Sequence, residues 1–284
     1  MRNPKSQGSD LESQGPSSGP QDRASRTLSF FHVLALVAMI LGFGLWDLGF
    51  GIYLAAQGRQ GGAPPTPRAA ASVDLTGTWV SVVTEDWRWR MRTPPKGDYA
   101  SLPLTPAAIK VADGWDPARD TAAGEQCRAY GAPGIMRVPG RVRISWENDT
   151  TLKVETEAGT QTRLFYFGAP PAPGASGWQG VSAASWLGGG GRRGGGAAAR
   201  NGSLRVITTN ARPGYIRKNG VPYSDAARVT EHFNRIDHPG GDSWLIVMTM
   251  IEDPQYLNTR FLVSSNFKKV ADGSAWNPTP CSAE

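Results

Sequence analysis

The chain has 284 residues, a formal net charge of +6, 39% hydrophobic residues, two cysteines and three histidines. That length allows one or two domains. The basic residues are interspersed with acids instead of being gathered on a recognisable module, which argues against a nucleic-acid footprint. His and Cys are too sparse for a dedicated zinc site, whose tetrahedral shell takes three or four such ligands.

In chain order, residues 1–27 are rich in Ser, Gly, Pro and Gln with mixed charges. Such a composition buries too little apolar surface to offset ordering entropy, and it predicts a disordered cytoplasmic tail. Residues 28–56 follow, an apolar run that opens at Leu28 and ends at Ala56. No Asp, Glu, Lys or Arg interrupts it before Asp47, and about 20 apolar residues are what a hydrocarbon core of about 30 Å requires. We read it as a single transmembrane helix in contact with membrane lipid. Trp46 and Tyr53 suit the headgroup level. Arg2, Lys5, Arg23 and Arg26 precede the run, so the positive-inside tendency keeps the N-terminus cytoplasmic and exports everything after Ala56. The rival account is a signal peptide cleaved near Ala56-Gln57-Gly58. The run exceeds the usual 7–15-residue signal core, which favours an uncleaved anchor.

Residues 57–72 carry Gly61-Gly62, Pro64-Pro65 and Pro67 and read as an extended linker. Residues 73–284 remain as the exported domain, about 210 residues and ample for one β domain with its own core. It opens at Asp74-Leu75-Thr76-Gly77-Thr78-Trp79, ahead of a strand at Thr78 to Thr84. The stretch Trp87-Arg88-Trp89-Arg90-Met91-Arg92 alternates strictly, and as a strand it puts Trp87, Trp89 and Met91 on one face and Arg88, Arg90 and Arg92 on the other. Residues 99–139, with Cys127, are too long and irregular for a hairpin and predict a cap, a short helix or a lid. Within them, Pro106 marks the first position of a short helix over 105–113.

Beyond this, Val142, Ile144 and Trp146 alternate with Arg141, Arg143 and Ser145, and Leu152, Val154 and Thr156 continue after a turn at Asn148-Asp149. Ala158-Gly159 reverses the chain before a strand over 162–167, by hairpin chemistry. Further strands are expected over 178–187, 203–209, 228–236, 244–251 and 260–268, making nine or so in all. Antiparallel strands need only short links and closure removes exposed edges, so the fold class is mainly β, an antiparallel barrel or sandwich. The glycine-rich stretch over 188–200 reads as a mobile excursion.

The Gly77-Thr78-Trp79 head of the first strand is similar to the lipocalin and calycin motif, in which the Trp closes one end of an up-and-down barrel. A second likeness is broader. Thr208-Thr209-Asn210-Ala211-Arg212-Pro213-Gly214, Asn219-Gly220 with Ser224, Thr230-Glu231-His232-Phe233 and Glu252-Asp253-Pro254-Gln255-Tyr256 resemble a pattern of uncharacterised exported bacterial proteins. The resemblance implies a lipocalin-like barrel; the location expected for it, the periplasmic side of a bacterial inner membrane, follows from the anchor read above. It implies no catalytic set. Its departures are a less acidic terminal Cys segment and the membrane anchor itself.

Cys127 and Cys281 both fall on the exported side, and an even pair in an oxidising compartment is a disulfide candidate; the alternative is two free thiols. His232 and His238 stand apart from any ligand motif, and neither a Gly-x-Ser-x-Gly elbow nor a phosphate-binding loop occurs. Glu85-Asp86, Glu231 and Glu252-Asp253 offer carboxylates for acid and base work, equally well explained as surface groups on strand ends. Two function classes follow. The first is a non-catalytic binding protein without a cofactor, its apolar or amphipathic small ligand held by Trp79, Trp87, Trp89, Arg88 and Arg90. The second is an accessory subunit of a larger membrane complex, for which Ala38 and Gly42, and Gly51 and Ala55, supply small helix-contact surfaces.

Overall fold

A computed structural model describes residues 63–188 and 202–284 apart from residues 173, 175, 272 and 274, all within the unit Gly62–Glu284. The expected tail, the membrane span and nearly all of the glycine-rich excursion lie outside the described residues. Among the described residues no helix is long and apolar enough to cross a membrane.

Among the described residues eleven strands form: β1 Gly77–Val82, β2 Arg141–Asn148, β3 Thr151–Thr156, β4 Gln161–Phe167, β5 Val181–Leu187, β6 Ser203–Thr209, β7 Gly214–Arg217, β8 Val221–Tyr223, β9 Arg228–Asp237, β10 Ser243–Glu252 and β11 Phe261–Val270. Nine of them close a barrel in the order β1-β11-β10-β9-β6-β5-β4-β3-β2, and β7 and β8 form a separate hairpin. The fold is therefore a closed barrel and not a sandwich. It is also not wholly antiparallel, because β4 pairs with β5 in parallel. Nine strands cannot alternate in direction around a ring, so one parallel pair is the least departure that allows closure.

Alternation builds the interior. Val142 and Ile144 on β2, Leu152 and Val154 on β3, Leu204 and Val206 on β6, and Leu245 and Val247 on β10 are all buried, while the intervening residues face outward as period-two strands demand. Trp79, Phe165, Phe233 and Phe267 are fully buried and occupy the middle. Phe165 meets Phe233 edge-on at 5.4 Å. At one end Trp146, Phe167 and Trp186 cluster with ring centroids 5.2 to 6.3 Å apart. Residues 66–72 lie against the barrel: the Trp186 indole donates to the Pro67 carbonyl at 2.8 Å, and the Arg68 amide donates to the Asp149 carbonyl.

The register puts the other mouth at Val82, Arg141, Thr156, Thr209, Arg228, Glu252 and Phe261. This mouth receives the long insertion between β1 and β2. The insertion folds as α1 Trp87–Arg90, α2 Pro106–Asp113, α3 Pro117–Ala122, a 3-10 turn Gln126–Tyr130 and α4 Ala132–Ile135. Pro106 starts α2 as expected, and the Thr105 hydroxyl caps it by accepting from the Ala108 amide at 3.2 Å. The expected strand over residues 87–92 is instead the single helical turn α1. Asp86 ahead of it takes a left-handed backbone, φ 52, which breaks the extended path that the W-R-W-R alternation implies.

Cys127 and Cys281 form a disulfide with Cα atoms 5.1 Å apart. It fastens the cap to the C-terminal segment, where the Thr279 amide donates to the Glu157 carbonyl and the Thr160 hydroxyl donates to the Thr279 carbonyl at 2.9 Å.

Candidate functional site

The capped mouth holds a cavity of about 40 Å³ lined by Trp89, Arg90, Ala129, Gly134, Arg137, Val138, Ile216, Arg217, Lys218 and Phe261. Four of these side chains are cationic. They arrive from separate parts of the chain: Trp89 and Arg90 on α1, Arg137 just after α4, Ile216 and Arg217 on β7, Lys218 in the following turn, and Phe261 at the head of β11.

Each is fixed by identifiable bonds. Arg90 is packed inside, its side chain 1% exposed. It donates from Nε to the Arg137 carbonyl at 2.9 Å and from Nη1 to Glu85, and its Nη2 has no hydrogen-bond partner among the described residues. Burial lowers the Arg90 pKa, with Glu85 pulling it back and Arg137 pushing it down further. Arg137 donates to Asp86 at 2.6 Å and to the Ser264 carbonyl at 3.4 Å. Among the described residues Arg217 donates only to main-chain oxygens, those of Asp98 and Ala100 at 3.4 and 3.3 Å. Burial, then the nearby Arg137, pushes its pKa down to about 10. Asp86 and Asp98 pull it back only in part.

Trp89 is held at the rim. Its indole nitrogen donates to Asp98 at 3.0 Å, and the guanidinium groups of Arg88 and Arg217 lie 4.9 and 4.8 Å from its ring centre. The β7–β8 hairpin is anchored from below. Fully buried Asn219 donates to the Pro95 and Asp98 carbonyls at 3.1 and 3.0 Å, and the Tyr215 hydroxyl donates to Asp120 at 2.9 Å. Gly220 closes the hairpin turn at φ +82, and a Cβ there would fall 2.2 Å from the Trp115 side chain.

Of the five residues expected to hold a ligand, the structure brings Trp89 and Arg90 to this cavity. Arg88 is exposed and pairs with Asp98 at 2.6 Å. Trp87 is 65% exposed. Trp79 is in the barrel core, its indole nitrogen donating to the Leu75 carbonyl at 2.9 Å. Arg137, Arg217, Lys218 and Phe261 were not legible as partners of this stretch, because no local pattern connects four segments so far apart in the chain.

The pointed carboxylates are all engaged. Glu85 and Asp86 meet Arg90 and Arg137, and Glu231 meets Arg163 inside the barrel. Glu252 meets Arg260. Asp253 accepts from the Ser224 amide and hydroxyl at 2.6 and 2.9 Å and from the Gln255 amide at 2.9 Å. The Ser and Asp-Pro-x-Tyr portions of the late pattern thus meet as a turn brace. His232 lies half-buried on β9, paired in register with Met248, and His238 accepts from the Gly240 amide at 3.1 Å. Among the described residues no three His, Cys, Asp or Glu side chains gather as metal ligands.

A second surface feature lies on the barrel wall. Trp244, Ile246, Met248 and Met250 alternate outward along β10, with Ile236 opposite Trp244 and Leu262 opposite Met250. Ile236, Met248 and Leu262 are exposed.

Compared with protein families, curated proteins and solved structures, the chain finds no match.

Proposed function

We propose that the barrel is a non-catalytic, lipocalin-like binding domain for a small amphipathic ligand, tethered on the periplasmic side of a bacterial inner membrane by residues 28–56. The observation that carries this reading is the cavity at the capped mouth, where the indole of Trp89 and the ring of Phe261 stand beside Arg90, Arg137, Arg217 and Lys218. Concave sites with an apolar wall and a few convergent polar groups are where small ligands bind. The seat is at the mouth, because the aromatic core occupies the middle of the barrel. The lipocalin-like assignment draws on closure and on Gly77-Thr78-Trp79, with nine strands and one parallel pair as its departures.

The accessory-subunit reading draws on a separate observation, the outward apolar stripe of β10 with Ile236 and Leu262 beside it. Soluble monomers rarely expose large contiguous apolar patches. Native mass spectrometry of the full chain after gentle solubilisation separates the two. A retained small molecule supports the binding reading. A stoichiometric protein complex with no small molecule overturns it in favour of the subunit.

A further inference from the structure

We infer that the cavity beside α1 is an oxyanion site, receiving the carboxylate or phosphate head of the ligand on Arg90, Arg217 and Lys218. The inference rests on the small-ligand reading above and names the chemistry of the ligand's head.

Three observations converge. The first is the unpartnered Nη2 of Arg90, a guanidinium nitrogen on a side chain 1% exposed that lines the cavity. Buried polar groups are nearly always bonded, and an orphaned charged donor costs more than a neutral one, so such a group calls for a partner. The second is charge balance. Glu85 and Asp86 are taken by Arg90 and Arg137, and Lys218 is engaged by the main-chain oxygen of Glu284. Arg217, bonded among the described residues only to carbonyls, thus faces the cavity with no carboxylate bonded to it, and an arriving oxyanion supplies that charge. Guanidinium forks match carboxylate and phosphate geometry, which favours oxyanions over halide-like ions.

The third is size. At about 40 Å³ the cavity has room for a few water-sized atoms, the scale of a carboxylate or phosphate head. The apolar remainder of the ligand stays outside the cavity. Trp87 at the start of α1 and Met91 just past its end, both exposed and one turn apart, offer it a landing surface.

The test uses the full chain in nanodiscs of neutral phosphatidylcholine, with empty nanodiscs as reference, titrated calorimetrically with hexyl phosphate, hexanoate, hexanol and inorganic phosphate at about 0.15 M salt. Hexyl phosphate and hexanoate are expected to bind about tenfold or more tightly than hexanol, a difference of about 1.4 kcal/mol. The double substitution Arg217→Gln with Lys218→Gln should abolish that preference, weakening hexyl phosphate and hexanoate about tenfold more than hexanol. It spares the structural bonds of Arg90, and Arg90→Lys, which keeps the charge but loses the fork, should weaken hexyl phosphate in parallel. Hexanol binding as tightly as hexyl phosphate would overturn the oxyanion site and leave the small-ligand reading standing. Inorganic phosphate matching hexyl phosphate would keep the oxyanion site and overturn the amphipathic ligand. No binding by any of the four would overturn both.

Discussion

Arg163 and Glu231 form a bidentate ion pair inside the barrel, at 3.0 Å from Nη1 and 2.5 Å from Nη2, with both side chains wholly buried. Thr208 accepts from the same Nη2 at 3.3 Å and is 2.8 Å from Ser182. Opposed guanidinium and carboxylate charges in a low-dielectric interior attract strongly, and their desolvation offsets much of the gain. Removing one partner strands the other. Glu231→Gln or Arg163→Met should therefore destabilise by about 3–5 kcal/mol, whereas Arg163→Met combined with Glu231→Leu should come out near neutral or more stable. Denaturant unfolding of the two single variants and the double variant measures this. Additive losses would show that the two side chains do not act as a pair.

The disulfide joins Cys127 and Cys281 across 154 residues of chain. In the chain-entropy model a loop of that length stabilises by roughly 4–5 kcal/mol. Cys127→Ser with Cys281→Ser should lose up to that amount in denaturant unfolding. The effect on the cap should be local as well as global, since the bridge sits one residue from the 3-10 segment's Arg128, which holds Asp120 at 2.8 Å. Non-reducing peptide mapping of the parent protein should recover the Cys127 and Cys281 peptides linked.

Much of the barrel is legible because strands half-buried on one face must alternate, and residues 141–156 do so with turns between them. The Thr105-Pro106 start of α2 is legible for a similarly local reason, since both residues act on the first helical turn. The failure at Trp87-Arg88-Trp89-Arg90 shows the limit. Four residues are too few for period two to be told from a helical turn, and the left-handed Asp86 that decides the matter leaves no composition signal. The parallel pairing of β4 with β5 depends on where the Gly- and Pro-rich link over 168–180 travels, which is a question of topology and not of local pattern. The Arg163–Glu231 pair did carry a signal. Arg163 is in phase with Phe165 and Phe167, and Glu231 with Val229 and Phe233, so two opposite charges stand at core positions of two strands. The cavity had none of this kind, for its cations come from three separate segments.

The proposed membrane anchor, residues 28–56, lies outside the described residues and is read from hydropathy and charge. Reporter fusions after Arg26 and after Ser72 are expected to report opposite sides of the membrane, the first cytoplasmic and the second exported. Mature protein beginning near Arg59 would replace the anchor with a cleaved signal peptide.

At Gly220 two demands coincide, a positive φ of +82 and the Trp115 side chain where a Cβ would stand. Gly220→Ala should cost about 1–3 kcal/mol from backbone strain, before the displacement of Trp115 is counted. Because β7 carries Arg217 into the cavity, hexyl phosphate binding should weaken along with stability. Gly97→Ala is the comparison: it shares a positive φ of +87, but nothing lies within 4 Å of its Cβ position, so its loss should reflect the backbone alone and be smaller. Equal losses at the two positions would show that Trp115 does not confine the hairpin.

Asp98 sets the position of Trp89 and should make that position sensitive to acid. Desolvation would raise the Asp98 carboxyl, but hydrogen bonds from Arg88 and Trp89, with the Arg88 charge, outweigh it and bring the pKa below its ordinary value of 3.8. A carboxyl depressed in the folded state contributes stability that is fully present above the unfolded value and is lost as pH falls through the folded one. The bonds to Arg88 Nη2 and Trp89 Nε1 should therefore be complete at pH 5 and released below about pH 3.8. As Trp89 loosens, the rim of the cavity opens and its stacking with Arg217 is lost. The indole N–H resonance of Trp89 should titrate in that acid range, and Asp98→Asn, which keeps an acceptor but not the charge, should remove the transition. An indole resonance that stays fixed from pH 5 down to global acid unfolding would mean that Arg88 and Arg217 alone hold the ring.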